Sequence, residues 1–502
     1  MCRSSPLRPF VVVVLLAASL AVAACGSGGG EQAAPGTAAA GTELAPAGAL
    51  LFASITTDPG SAQWKAAAAL LAKFPSSDKL LQTLLSSLDE QGKSWENDVK
   101  PALGPEVDFV LLGVPQGGGD PVFVGLTQPK DGAKLEQLVK SGDQPGVLET
   151  VDGWTVVSDK QASIDAFKKA REGGVLADSQ AFKDATQGLS GEPLASLYVD
   201  GQKLNQYVLS TYKGGDLTVA QLGSLFQNFG VQGGPIGLAL TAQPDGLRLD
   251  GTASGQNPFQ IASYTSELPS EVPATAVAYL SFANLAEPLG KLLDTVGGAL
   301  PGFDQRFAQA ESFLGLSIRG DVLPLFSKEG AIVVAPGTPI PAISLVLEVD
   351  DEQKAVSVLD KLVGLAGGIV GGAQAQATDV EGAQAKELSL GQFSLFYAVF
   401  EGKLVLTSAR DGIAGLRQQG PKLAEDPDFQ AARQSAGMPD QTGGFLYLDL
   451  KDGIQLLQGY IQLAGTSIPA EVNANLAPLG SLLVYGTQEN GRSRFTAFLG
   501  VK

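Results

Sequence analysis

Cys25 carries the most specific chemistry in this 502-residue chain. It follows Val22-Ala23-Ala24 and precedes GSGGGEQAAPGTAAAGT. Arg3 and Arg8 stand ahead of the apolar run VVVVLLAASLAVAA that leads up to it. A positive start, a short apolar stretch and small residues at a cut are the parts of an export signal. A thiol directly after that cut is placed for acylation. The expectation is a signal peptide over 1–24, lipidation at Cys25, and attachment to a membrane through acyl chains, each buried CH₂ contributing ~0.8 kcal/mol. The protein is then an extracytoplasmic lipoprotein tethered at the cell envelope.

The remaining candidate chemistry lies in carboxylates. Tyr198-Val199-Asp200 and Tyr447-Leu448-Asp449 repeat one pattern, which makes Asp200 and Asp449 ligand candidates. The plainer reading is a strand end whose Asp caps the next helix, with the Tyr packed and hydrogen-bonded. Capping explains the position without a site, and we favour it. Asp98, Pro101 and Glu106 recur as Asp321, Pro324 and Glu329. Such pairs suit acid–base work or a hard cation, but Asp-x-x-Pro before a strand is also ordinary turn chemistry. Asp350-Asp351-Glu352 precedes a helix, where its dipole accounts for acidic residues. The glycine-rich run Gly364–Gly372 lacks the Lys-Ser or Lys-Thr of a phosphate loop. It reads as a pliable loop or a frayed helix end, with a lid over an apolar cavity, facing Val296–Leu300, as the sharper alternative.

Much chemistry is excluded. The chain has no histidine, so no Ser-His-Asp or Cys-His couple and no His-based zinc site is available. Cys2 leaves with the signal and Cys25 is acylated, so the folded part holds no disulfide and no thiolate. We expect no catalytic residue, no metal and no cofactor. The formal charge is −18, more negative by two once Arg3 and Arg8 depart. That repels phosphate backbones, so nucleic acid is not a partner.

Positioning these residues requires an ordered scaffold, and 44% hydrophobic content is ample for one. Residues 25–42 read as the acylated cysteine and a flexible tether. Beyond it the chain repeats itself. PAGALLFASI (46–55) matches PATAVAYLSF (273–282), and DVKPALGPEVDFV (98–110) matches DVLPLFSKEGAIV (321–333). VDGWTVVSDKQASIDAF (151–167) matches FEGKLVLTSARDGIAGL (400–416), and LADSQAFKDA (176–185) matches LAEDPDFQAA (423–432). LYVD matches LYLD, and LALTAQPDG (238–246) matches LVYGTQENG (483–491). The order is preserved and the period is too long for a solenoid. We expect one repeat over 43–254, a linker over 255–270 and a second repeat over 271–502. Hairpin signals such as Asp152-Gly153 alternate with amphipathic stretches such as 160–171. The expected class is α+β: two homologous tandem units, each a mostly antiparallel sheet with packed helices.

The run ELAPAGALLFASITTDPGSAQWKAAAALLAKFP (43–75) resembles the opening of the uncharacterised bacterial family known as domain of unknown function 3352. Its Pro-Ala-x-Ala, Asp-Pro turn and Gln-Trp helix start carry the likeness, with Asp98–Gly104 and Leu176–Phe182 further on. The resemblance implies an exported or membrane-tethered protein with a duplicated α+β unit. It supplies no activity, substrate or site residue. The functional expectation is a non-catalytic binding or structural module at the envelope. Its ligand or partner, whether an apolar molecule or another envelope protein, is not specified by the sequence. The alternatives are a carrier of lipid or another apolar ligand, and a carboxylate-based hydrolase.

Overall fold

The computed structural model describes residues 39–502 apart from 80–81, 83–85, 87–91, 114–120, 142–144, 190, 205, 207–232, 255–261, 300–301, 338–339, 370–371, 392, 464 and 490. Cys25 lies outside these residues. The first half supplies β1 (Leu51–Thr56), β2 (Glu106–Gly113), β3 (Val122–Thr127), β4 (Val147–Val151), β5 (Trp154–Ser158), β6 (Ala195–Asp200), β7 (Pro235–Gln243) and β8 (Gly246–Ser254). After a short β9 (Tyr264–Thr265), the second half supplies β10 (Ala278–Ala283), β11 (Glu329–Ala335), β12 (Ala342–Glu348), β13 (Gln376–Val380), β14 (Ala383–Leu390), β15 (Phe393–Phe400) and β16 (Lys403–Thr407). It ends with β17 (Gln441–Thr442), β18 (Phe445–Asp449), β19 (Leu479–Glu489) and β20 (Arg492–Val501).

All but β9 and β17 join one antiparallel 18-stranded sheet. Its order is β4-β5-β3-β2-β1-β6-β7-β8 followed by β20-β19-β18-β10-β11-β12-β16-β15-β14-β13. Read outward from the β8–β20 seam, the halves run in the same order as far as β4 and β15. The second half then adds β13 and β14. The protein is α+β.

Alternation along the strands puts apolar side chains on both faces, so helices cover both. On one face of the first half, helices Gln161–Arg171 and Gln180–Thr186 bury Ile164, Phe167 and Phe182 against Phe52, Val110, Val124 and Tyr198. On the other face, helix Gly132–Lys140 packs Leu135 and Val139 on Val157, and helix Ala62–Leu71 sets Leu70 on Ala242 and Val501. The second half uses Arg410–Arg417 and Pro427–Ser435 on one side and Glu352–Ile369 on the other. The hairpin turns Asp152-Gly153 and Glu401-Gly402 both take positive φ at each residue, the conformation that matches strand twist.

At the seam, Asp250 pairs with Thr496 and Gly251 with Phe495. Arg248 Nε donates to Asp250 Oδ2 at 2.7 Å, and Thr496 Oγ1 donates to Oδ1 at 2.7 Å. The Phe495 ring crosses Gly251 so closely that a Cβ there would stand 2.0 Å from Cε1. Arg492 reaches Asp184 at 2.6 Å, and Arg248 Nη1 donates to the Ala436 carbonyl at 2.8 Å.

Three segments differ from the sequence expectation. Residues 39–42, read as tether, enter the fold: Ala40–Glu43 is a 3₁₀ turn whose Gly41 N–H donates to Glu106 Oε1 at 2.9 Å. Residues 264–270, read as linker, are built into the second half, where β9 pairs with β17 and the Leu268–Ser270 turn meets Glu329. In each case a carboxylate, half-buried in Glu106 and buried in Glu329, captures turn N–H groups that otherwise lack partners. The glycine-rich run is not a loop over a cavity. Gly364, Gly367 and Gly368 belong to helix Glu352–Ile369, and Val296–Ala299 belongs to helix Ala286–Ala299. Those residues are helical and form no lid; Leu300, Val370 and Gly371 lie outside the described set. Among the described residues, no helix is long and apolar enough to cross a membrane.

Candidate functional site

Asp200 and Asp449 end β6 and β18, and each caps the turn of chain just beyond its strand. The Lys203 N–H donates to Asp200 Oδ1 at 3.0 Å, and the Asp452 N–H to Asp449 Oδ1 at 2.9 Å. Asp200 Oδ2 also meets Lys203 Nζ at 2.8 Å. Burial pushes the Asp449 carboxyl up, partly opposed by that backbone bond. The adjoining tyrosines are packed, but one part of the expectation fails. Neither Tyr198 Oη nor Tyr447 Oη has a hydrogen-bond partner among the described residues.

Asp98 and Asp321 also serve the backbone. Asp98 Oδ2 accepts from Ser94 N at 2.8 Å, and Asp321 Oδ2 from Ser317 N at 2.9 Å. Each lies 3.5 Å from a lysine, Lys134 and Lys354 respectively. Glu106 and Glu329 do not pair with them. Each instead receives the turn that leads into the first strand of its half: Gly41 N–H for Glu106, and the N–H groups of Glu267 and Leu268 for Glu329. Burial raises both carboxyls, and these backbone donors oppose the rise.

The structure brings a different set together. A cavity of about 500 Å³ opens on the β1–β6 face of the first half, walled by Phe52, Ser54, Glu106, Phe182, Ser196 and Tyr198. Neither Asp200 nor Asp449 borders it. That volume is in the range of small-molecule sites, ~300–1,000 Å³. Register explains the convergence. Ser54 stands opposite both Asp108 and Ser196, and Phe52 opposite both Val110 and Tyr198. Two adjacent rows therefore run across three strands, one polar and one apolar. Phe182 meets Tyr198 edge-on, with centroids 5.4 Å apart. Tyr198 is 1% exposed, and burial pushes its hydroxyl up to about 12.

Asp108 sits behind this wall, against Gly41, and is 0% exposed. Neither of its oxygens has a hydrogen-bond partner among the described residues. Burial holds its carboxyl well above the usual range, and the Glu106 charge adds to the rise. The Ser54 hydroxyl beside it opposes the rise only in part, since it does not reach hydrogen-bonding geometry. A buried carboxyl without partners is costly as an anion.

The second half places larger side chains at the corresponding positions. Phe445 stands where the first half has Ser196, stacked on Phe429 at 5.9 Å and 5.2 Å from the Tyr279 ring. Ser281, the counterpart of Ser54, bonds the Tyr264 hydroxyl and lies 3.1 Å from Ser266 Oγ, which in turn bonds Glu329. Ala331 replaces Asp108. In the first half the matched positions for Ser266 and Tyr264 are Ala39 and Thr37, small residues of which Thr37 lies outside the described set. Sequence reasoning did not single out Ser54, Asp108, Ser196 or Phe182. The signal was available within the repeat: a mid-strand charge where the partner block has Ala, and Ser where it has Phe.

Among the described residues, no group of three or more Cys, Asp or Glu is arranged to hold a metal ion. A family described as "Protein of unknown function (DUF3352)" matches residues 130–501. No curated protein matches the chain. The solved structure of crystal form IV of TP0453 is similar over 47% of this chain and 81% of its own, at 13% identity and a TM-score of 0.25. That likeness is too slight to build on.

Proposed function

We propose that this chain, which belongs to the DUF3352 family, is an exported, lipid-anchored binding module with no catalysis of its own. The observation that carries the binding reading is the first-half cavity, open where the second half packs Phe445 and Tyr264. We read the correspondence of strands and blocks as a duplication, in which one copy kept a solid core and the other a ligand site. The anchor reading rests on Cys25 behind its signal segment. An apolar carrier fits less well, because Glu106, Asp58 and Glu192 line the space. A carboxylate-based hydrolase fits less well because Asp108 does not border the cavity and Glu106 is engaged by the Gly41 N–H.

Native mass spectrometry of the full chain taken from its own membranes tests this. We expect a bound small molecule that is lost from Ser196→Phe, a variant that copies the second half's Phe445 into the first half and is expected to fold. A wild-type protein that carries nothing removable by Ser196→Phe would overturn the reading.

A further inference from the structure

The lining of the cavity is one-sided in charge. Among the described residues it contains Asp58, Glu106 and Glu192 and no lysine or arginine. Asp58 has a cation nearby, Lys130 at 3.9 Å, but Lys130 is outside the lining. Three aromatic rings, Phe52, Phe182 and Tyr198, share the lining with these carboxylates. The Tyr198 hydroxyl is buried on this wall without a partner among the described residues. Tyr447 shares that lack, but Phe429 and Phe445 occupy the space around it.

We propose that the first-half cavity takes a small organic cation, an amine or quaternary ammonium carried on an apolar body. The proposal rests on the reading of this cavity as a ligand site. Aromatic faces attract a desolvated cation through the ring quadrupole, and carboxylates complete its neutralisation. An anion entering here meets like charge from three side chains in a chain that is itself strongly acidic. A neutral molecule leaves the half-buried Glu106 carboxylate with its backbone N–H bond but no opposite charge. The burial that raises the Glu106 carboxyl is the cost that a bound cation would relieve. Residues 26–38 carry Glu31 as their one charge and no cation.

The test compares three probes of one shape on the full chain: benzyltrimethylammonium, benzyl alcohol and benzoate. Thermal unfolding and calorimetric titration report binding. We expect the cation alone to bind and to raise the melting temperature. Ser196→Phe should abolish that binding, and Glu106→Gln, which keeps the acceptor for Gly41, should weaken it by about tenfold or more. Circular dichroism melts of both variants establish that they are folded. Equal binding of benzyl alcohol and the cation would overturn the charge class while leaving the cavity as a ligand site. Binding of the cation that survives Ser196→Phe would place it elsewhere and overturn the proposal. Failure of the cation to bind wild-type protein that carries another removable ligand would overturn it as well.

Discussion

The Asp108 carboxylate packs on the backbone of Gly41 so closely that a Cβ at residue 41 would lie 1.7 Å from Oδ2. Gly41 therefore holds the Ala40–Glu43 turn against β2 through two contacts at once. Its N–H binds Glu106, and its missing side chain admits Asp108. Gly41→Ala should destabilise the protein by about 1–3 kcal/mol, the usual cost of overpacking. Asp108→Ala in the same chain should restore part of that loss, because the two changes share one space. Urea melts of both single variants and the double variant measure the coupling. Strictly additive losses would show that the contact is not the cause.

Asp108 also makes stability depend on pH. Its carboxyl is held above the usual range in the folded state, so the folded form keeps a proton that the unfolded chain releases near pH ~3.9. The contribution is complete below that pH and is lost as pH rises toward the folded-state value. Asp108→Asn does not titrate. Its stability curve should be flatter from about pH 4 upward, and at neutral pH it should gain on the order of 0.5–2 kcal/mol. Parallel curves for wild type and variant across that range would remove Asp108 as the source.

The caps at Asp200 and Asp449 predict a graded response. Replacement by Ala should cost about 0.5–2 kcal/mol at each site, and replacement by Asn much less, since the amide oxygen still accepts. Asp200→Ala also loses the Lys203 pair, which at a half-exposed lysine adds little. Denaturant melts decide the point. Loss of ligand binding with unchanged stability would make these residues part of a site.

The anchor prediction concerns Cys25. Cys25→Ser should leave the protein either in the soluble fraction or carrying its uncleaved leader. A mature-sized Cys25→Ser chain found wholly in the membrane pellet would show that acylation is not what holds it there.

The α+β class was legible in the sequence because it depends on local patterns. Asp152-Gly153 made the turn into β5 readable, and the 3.6-residue period marked helix Gln161–Arg171. The capping role of Asp200 and Asp449 was readable for the same reason, since a cap bonds within three residues. The candidate cavity depends instead on contacts between distant segments. Ser54, Glu106 and Ser196 are brought together only by strand register, and a one-residue slip would turn each to the opposite face. Whether the two halves share a layer was likewise beyond pattern reading, because β8 and β20 meet through backbone groups that every residue carries. Tertiary structure also decided that Gly41 and Leu268 belong to the fold: nothing nearby in the chain announces the distant carboxylates, Glu106 and Glu329, that receive them.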